Sequence, residues 1–369
     1  MSEYQLYEFQ TIDKPLTEEE QAAISKLSSR VKLSSTQAIF NYSFGSFRGS
    51  PQEILAEYFD AMFYIANWGT KQLLFRFPKS LVDFESIEKY CIEDCITLST
   101  VNEYAILDIQ FNEEEGYGWI EEKGYLSPLL GLRNDILQQD YRVLYLAWLK
   151  AIAVQEEVDE EEYEPPVPPG LRKLSRSLNA FVDLFEVDEY LVKAASKSSS
   201  DRTSISDKTL LPAIKKLSRE ECNAFLLRLA QGESNLSLEL NKKLSELIPV
   251  PQPESQPQRT IKHLFEAAEE EEKQKTIRQK QEAEVKRIKE LEALAKREAD
   301  AWKDVDRLLE KSQAQAYDEA VKLLLKLQDL ALYQNRKQAF RTRLNQIHEQ
   351  YSRRPAFIKR LNNVGLYQN

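Results

Sequence analysis

Proline sets the outer limits on how this chain folds. The seam Pro165-Pro166-Val167-Pro168-Pro169-Gly170 follows an acidic run of Glu156, Glu157, Asp159 to Glu162 and Glu164. Fixed φ angles and missing N–H donors let neither a helix nor a central strand persist there. A second seam, Pro249-Val250-Pro251-Gln252-Pro253-Glu254-Ser255-Gln256-Pro257, has the spacing of an extended, semi-rigid connector. The seams predict an acidic α+β domain over 1–164, a linker at 165–170, a helical module over 171–248 and a second linker at 249–258. A charged helical arm over 259–311 and a basic helical hairpin over 312–369 complete the chain. At 369 residues, 42% of them hydrophobic, it is long enough to bury cores in two or three domains. The first seam also holds two overlapping P-x-x-P patterns of the kind that dock in aromatic grooves, although a plain linker is the simpler reading. Both seams are predicted to be protease-sensitive.

Before the first seam, four runs are aromatic or β-branched and bounded by breakers: Tyr4 to Ile12, Thr36 to Phe44, Lys71 to Phe77 and Tyr104 to Phe111. They read as strands. Thr17-x-x-Glu20, with Leu16 before it, opens a helix as a capping box, and a second helix is predicted from Pro51 to about Ala66. Tyr141 to Val154 is apolar enough to close the domain as a helix on the sheet. After the seam, Leu171, Leu174, Leu178, Phe181 and Phe185 step by three and four, the helical period. A further helix opens at Ser218-x-x-Glu221 and stops at Gly232, while Ser196 to Ser206 reads as a mobile loop.

The arm is one charged helix from about Thr260 to Lys311, whose apolar stripe (Val285, Ile288, Leu291, Ala295, Trp302, Val305, Leu309) strengthens only in its second half. A helix polar all round suits a spacer better than a continuous coiled coil. Beyond it, Ala316 to Leu327, Phe340 to Ile347 and Phe357 to Leu361 form three helix faces punctuated by Asn335, Pro355 and Gly365. The predicted architecture is therefore an α+β N-terminal domain followed by a mostly α-helical middle module, a long charged helix and a C-terminal helical hairpin.

Charge is divided unevenly along this plan. Residues 1–164 hold 13 Lys and Arg against 30 Asp and Glu, a net of −17, whereas the remainder carries +7. From Gln334 onward, Arg336, Lys337, Arg341, Arg343, Arg353, Arg354, Lys359 and Arg360 face a single acid, Glu349. Such a patch suits phosphates or an acidic protein surface. The interleaved Phe340, Tyr351, Phe357 and Tyr367 are candidates for base stacking or for the hairpin core.

Several chemistries are disfavoured. Glycine is scarce at 10 residues; the lone G-x-G, Gly116-Tyr117-Gly118, has Glu121 where a third glycine belongs, and no P-loop pattern occurs. A Rossmann or P-loop nucleotide site is not expected, and no cofactor is. Cys91, Cys95 and Cys222 form an odd, sparse set, which predicts reduced thiols and a cytoplasmic home. With His263 and His348 they are too scattered for a metal site, and His348-Glu349 fails H-E-x-x-H because Ser352 holds the second histidine position. Gly45-Ser46-Phe47-Arg48-Gly49 lacks the central serine of a nucleophile elbow and reads as a tight turn. Asn67-Trp68-Gly69-Thr70 reads as a helix-to-strand turn, with two accounts open: a shallow anion or peptide pocket shared with Arg48 and Arg76, or a glycine cap under a packed indole. Sixty carboxylates single out no acid–base pair. No run approaches the roughly 18 apolar residues of a membrane span, so no membrane association is expected.

Two resemblances can be read from short motifs. Tyr7-Glu8-Phe9-Gln10 with Asp13, Phe47-Arg48-Gly49 followed by Tyr58-Phe59-Asp60-Ala61, and Ala66-Asn67-Trp68-Gly69-Thr70 resemble a widespread bacterial family of hypothetical proteins without an assigned activity. Ala316-Tyr317-Asp318-Glu319-Ala320-Val321, Asp329-Leu330-Ala331 and Arg353-Arg354-Pro355 are similar to the terminal helices of bacterial SWIM-type zinc-finger proteins, over about the last fifty residues. The C-x-C and C-x-H of a SWIM zinc site are missing. That resemblance implies a module working beside nucleic-acid machinery, not a zinc finger.

Two functions follow as expectations. One is a non-enzymatic adaptor in a cytoplasmic assembly, whose head and middle bind protein partners and whose arm allows self-association. The other is a nucleic-acid-binding accessory protein that contacts DNA or RNA phosphates through the basic C-terminal helices. A third use of the positive tail, neutralising the acidic head within one chain or between copies, stays open.

Overall fold

A computed structural model describes residues 3–366 apart from 46, 114–115, 117–119, 122–123, 156, 203–206, 233–235 and 248–258. Its centre is a seven-stranded antiparallel sheet in the order β2-β3-β1-β4-β5-β7-β6. The strands are β1 (Gln5–Gln10), β2 (Lys32–Leu33), β3 (Gln37–Tyr42), β4 (Ala61–Ala66), β5 (Thr70–Pro78), β6 (Ile96–Val101) and β7 (Tyr104–Asn112). Between them lie α1 (Glu18–Ser25), α2 (Pro51–Tyr58) and α3 (Phe84–Glu88), and after them α4 (Gly131–Leu137), α5 (Arg142–Val154), α6 (Arg176–Phe185) and α7 (Glu189–Ser198). The four expected strands form, as do the capping boxes at Thr17 and Ser218.

Side chains alternate across the sheet with the period of two that a pleat imposes. Tyr7, Phe9, Phe40, Met62, Tyr64, Leu74 and Ile106 face one way and pack with Ile24 of α1 and Leu55 of α2. Leu6, Phe63, Leu73, Phe75, Leu107 and Ile109 face the other way, under α3 to α7. The sheet thus lies between two helical layers.

The helix predicted from Pro51 to Ala66 is a correction. It ends at Tyr58, and Ala61–Ala66 is a central strand between β1 and β5. Every residue of that strand is buried, so the run lacks the alternation that marks a half-exposed strand and reads like a buried helix. β2 and β6, short or partly exposed, also escape the sequence pattern.

The domain plan is corrected as well. The chain divides into two compact units, 1–272 and 273–369, and the first proline seam lies inside the first. Proline carbonyls still accept hydrogen bonds, and the fold uses them: Tyr90 Oη donates to Pro166 O at 2.8 Å and Ser199 Oγ to Pro168 O at 2.8 Å. Gly170, at φ +85, brings its carbonyl within 3.1 Å of Arg142 Nη1. Phe181 and Phe185 then complete the sheet's own core against Phe63 and Phe111 instead of founding a separate module. Ser199, expected in a mobile loop, is buried and accepts from Leu171 N; 203–206 lie outside the described residues, as does the second seam at 249–257.

Three further helices belong to the first unit: α8 (Asp207–Ile214), α9 (Arg219–Ala230) and α10 (Leu236–Leu247). α11 (Ile261–Ala295) starts there too, with Ile261 and Leu264 buried and Arg259 paired to Glu164 at 2.8 Å. Positions 276–287 are exposed on every side, as a spacer requires.

The second unit has its own core. α12 (Glu298–Glu310), α13 (Ala314–Tyr333), α14 (Lys337–Gln350) and α15 (Pro355–Asn363) bury Val305, Leu309, Leu324, Phe340, Leu344, Phe357 and Leu361, together with Leu291 and Leu294 from the end of α11. The predicted single helix to Lys311 breaks at Lys296–Arg297, and α12 joins the bundle, so the hairpin begins earlier than residue 312.

Candidate interaction surfaces

The eight C-terminal cations divide into two sets of four. Arg336 pairs with Glu298 at 2.8 Å, Arg343 with Asp306 at 3.4 Å, and Arg360 with Asp318 at 2.6 Å. Arg354 donates to Leu309 O and lies 4.8 Å from the Tyr351 ring centroid. Their partners stand on α12 and α13 or in the turn after α14, so these arginines tie the bundle together. The hydrogen bond from Arg360 holds the Asp318 carboxyl below its ordinary range. Lys337 and Arg341, one turn apart on α14, Arg353 before α15 and Lys359 on it are all exposed and make no ion pair with any described residue. The second unit carries 22 Lys and Arg against 13 Asp and Glu, a net of +9, whereas the first carries −19.

The aromatics interleaved with these cations serve the core. Phe340 is 5% exposed, Tyr351 6% and Phe357 0%, which removes them as stacking platforms; Tyr367 lies outside the described residues. A groove of about 450 Å³ runs past Trp302, Ala331 and Phe340 with the Glu298–Arg336 pair beside it.

The predicted Arg48–Asn67–Trp68–Arg76 pocket does not form. Asn67 and Trp68 sit in a strand-to-strand turn between β4 and β5, not after a helix. There Asn67 Oδ1 accepts from Tyr4 N at 2.9 Å, and Gly69 must be glycine twice over, because its φ is +108 and a Cβ would lie 1.9 Å from Glu113 O. The indole, expected to pack over the turn in the alternative reading, is 45% exposed. Arg76 lies at the opposite end of β5, buried against Asp60. Arg48 lines a separate cleft with Lys26, Arg30 and Tyr42.

A surface that sequence periodicity concealed is on α9. It is held to α10 by Arg228–Glu239 and Glu221–Lys243, with Arg228 Nη1 2.9 Å from Glu239 Oε1. The hydrogen bond to Lys243 lowers the exposed Glu221 carboxyl to about 2. The helix has no buried residue: Leu226, Leu227 and Leu229 are 63%, 60% and 64% exposed, and on α8 Leu211 is 56% exposed. Leu226 and Leu229, three residues apart, share one face of α9, and an exposed apolar face of this kind is the ordinary mark of a protein contact. A leucine-rich helix in sequence predicts burial; only the surroundings show that none of the described residues covers this one.

Among the described residues no His, Cys, Asp and Glu side chains group as metal ligands, and no helix is long and apolar enough to cross a membrane. Burial pushes the Cys91 thiol up to about 11, and Cys95 is raised for the same reason. Comparison with protein-family models, curated proteins and solved structures found no match.

Proposed function

We propose that this chain is a non-enzymatic adaptor that receives an apolar helical segment of a partner protein on α9. The observation that carries the reading is the pair Leu226 and Leu229, on one face of α9 and each more than 60% exposed on a helix that buries nothing of its own. Removing such a surface from water yields about 25 cal/mol per Å² of apolar area, enough for a few leucines to anchor a helix-in-groove contact. Two separately cored units of opposite net charge also suit a protein that joins components. Three free cysteines accord with a reducing, cytoplasmic setting.

A photo-crosslinking residue at position 229 of the full chain tests it. The expected result is a cross-link to a distinct polypeptide, whose complex with this chain re-forms from purified components and is lost in Leu226→Asp/Leu229→Asp. Cross-links only within the chain, or a reconstituted complex indifferent to the double variant, would overturn it.

A second reading, a nucleic-acid accessory protein, has its own support in Lys337, Arg341, Arg353 and Lys359, which the bundle leaves unpaired. Burial of Phe340, Tyr351 and Phe357 takes those three rings out of base stacking and leaves the phosphate contacts of the cations as its support.

A further inference from the structure

A cleft of about 580 Å³ opens where the segment after α1 meets the segment after β3. Its construction starts from Phe47, which is buried against Tyr7, Phe9 and Phe40 and pins the β3–α2 connection to the sheet. Gly45 and Gly49, at φ +87 and +101, turn the chain on either side of that anchor, and Gln5 Nε2 holds Gly45 O at 2.9 Å. Phe47 points inward, so its neighbour Arg48 is left at the rim. Across the cleft stand Lys26 and Arg30, in the segment that Ile24 anchors.

Among the described residues no acidic side chain lines the cleft, although the unit around it has a net charge of −19. The three glutamates of α1 lie in its first turn, at the other end of that helix. Lys26, Arg30 and Arg48 are exposed and make no ion pair with any described residue. Between them, the Tyr42 hydroxyl is buried beside Ser28 and the Arg48 backbone without completing a hydrogen bond of good geometry. At the mouth, the Phe44 ring is 77% exposed on a polar surface where its own burial is not served.

We propose that this cleft binds a phosphate-bearing small molecule with a planar ring, its phosphate held by Arg48, Arg30 and Lys26 and its ring laid on Phe44. Arginine forks match phosphate geometry and provide charge-assisted hydrogen bonds. No glycine-rich loop is needed, because side chains supply the donors.

Calorimetric titration of the full chain with AMP, inorganic pyrophosphate and adenosine tests the assignment. AMP and pyrophosphate are expected to bind and adenosine not to. Arg48→Ser should weaken both phosphate ligands roughly tenfold, the worth of one charge-assisted hydrogen bond. Phe44→Ser should weaken AMP and leave pyrophosphate unchanged. All three positions are exposed, and an unaltered thermal midpoint will show that each variant is folded. Failure of both phosphate probes to bind at millimolar concentration, or binding indifferent to Arg48→Ser and Arg30→Ser together, would overturn the site. Equal AMP affinity in Phe44→Ser would overturn the ring contact and the proposal with it.

Discussion

Arg76 Nη2 donates to Asp60 Oδ1 at 2.7 Å, with the carboxylate 1% exposed, and around this pair the first unit is clamped together. Asp60 Oδ2 accepts from the backbone of Ile12 at 2.6 Å and Asp13 at 2.9 Å, just beyond β1. Arg133 of α4 grips Asp13 with two hydrogen bonds and donates to Arg76 O. Arg76 Nη1 reaches Ala56 O of α2. One carboxylate thereby organises β1, α2, β5 and α4.

Removing Asp60 should be costly, since the buried Arg76 guanidinium would lose its counter-charge while Arg133 would keep only Asp13. Asp60→Ala is expected to lose about 3–5 kcal/mol in denaturant unfolding, the usual cost of breaking a buried pair. Burial raises the Asp60 pKa, but Arg133, the two backbone N–H groups and Arg76 outweigh it, and the net shift is downward from 3.8. A depressed folded pKa means the stabilisation is complete above the unfolded value and is lost as pH falls through the folded one. Unfolding free energy measured from pH 5 downward should therefore fall in the parent and fall less steeply in Asp60→Asn.

A truncation tests the corrected domain plan. Residues 1–164 omit Leu171, Phe181 and Phe185 of the sheet's core, of which Phe185 packs on Phe63 and Phe111. That fragment should aggregate or bind a hydrophobic dye, whereas 1–272 should remain monodisperse with one cooperative transition. A monodisperse, cooperatively folded 1–164 fragment would mean that the helices after the seam are dispensable.

The thiols give a measurement without mutagenesis. With Cys91 raised by burial to about 11 from a reference of 9.0, its thiolate fraction at pH 8 falls roughly a hundredfold. Native-state alkylation of Cys91 at pH 8 should be slower than in denaturant by one to two orders of magnitude, as read by peptide mass spectrometry. Rates equal in both states would show that Cys91 is not sheltered.

Much of this was legible in sequence wherever one local rule decides the outcome. Thr17 and Ser218 cap helices with Glu20 and Glu221 because three-residue spacing is all the motif requires. The faces of α13, α14 and α15 follow their 3.6-residue period into the core. Legibility ended where the environment decides. Ala61–Ala66 is buried on both faces and so has no period to read. The proline seam folds in because distant Tyr90 and Ser199 donate to its carbonyls. Arg336 and Lys337 are adjacent cations in sequence, yet only the first meets an acid, Glu298, 38 residues away. The α9 leucines carry a core-like pattern but meet no core.

The division among the C-terminal cations separates the two functional readings by salt and by mutation together. Lys337, Arg341, Arg353 and Lys359 hold nothing in the bundle, so exchanging all four for glutamine should change its stability by less than about 0.5 kcal/mol each. Arg336→Gln and Arg360→Gln instead break intra-bundle pairs to Glu298 and Asp318. Fluorescence anisotropy with labelled duplex DNA provides the readout. If the four free cations meet phosphates, log affinity against log salt should have a slope no steeper than about −4, near −0.9 for each contact. The quadruple variant should then bind neither DNA nor RNA, while the intact chain binds both more weakly as salt rises. An intact chain that ignores duplex and single strands at low salt would exclude the phosphate reading. The α9 reading would then stand alone, and a complex held by the exposed leucines, with little sensitivity to salt, is its expected outcome.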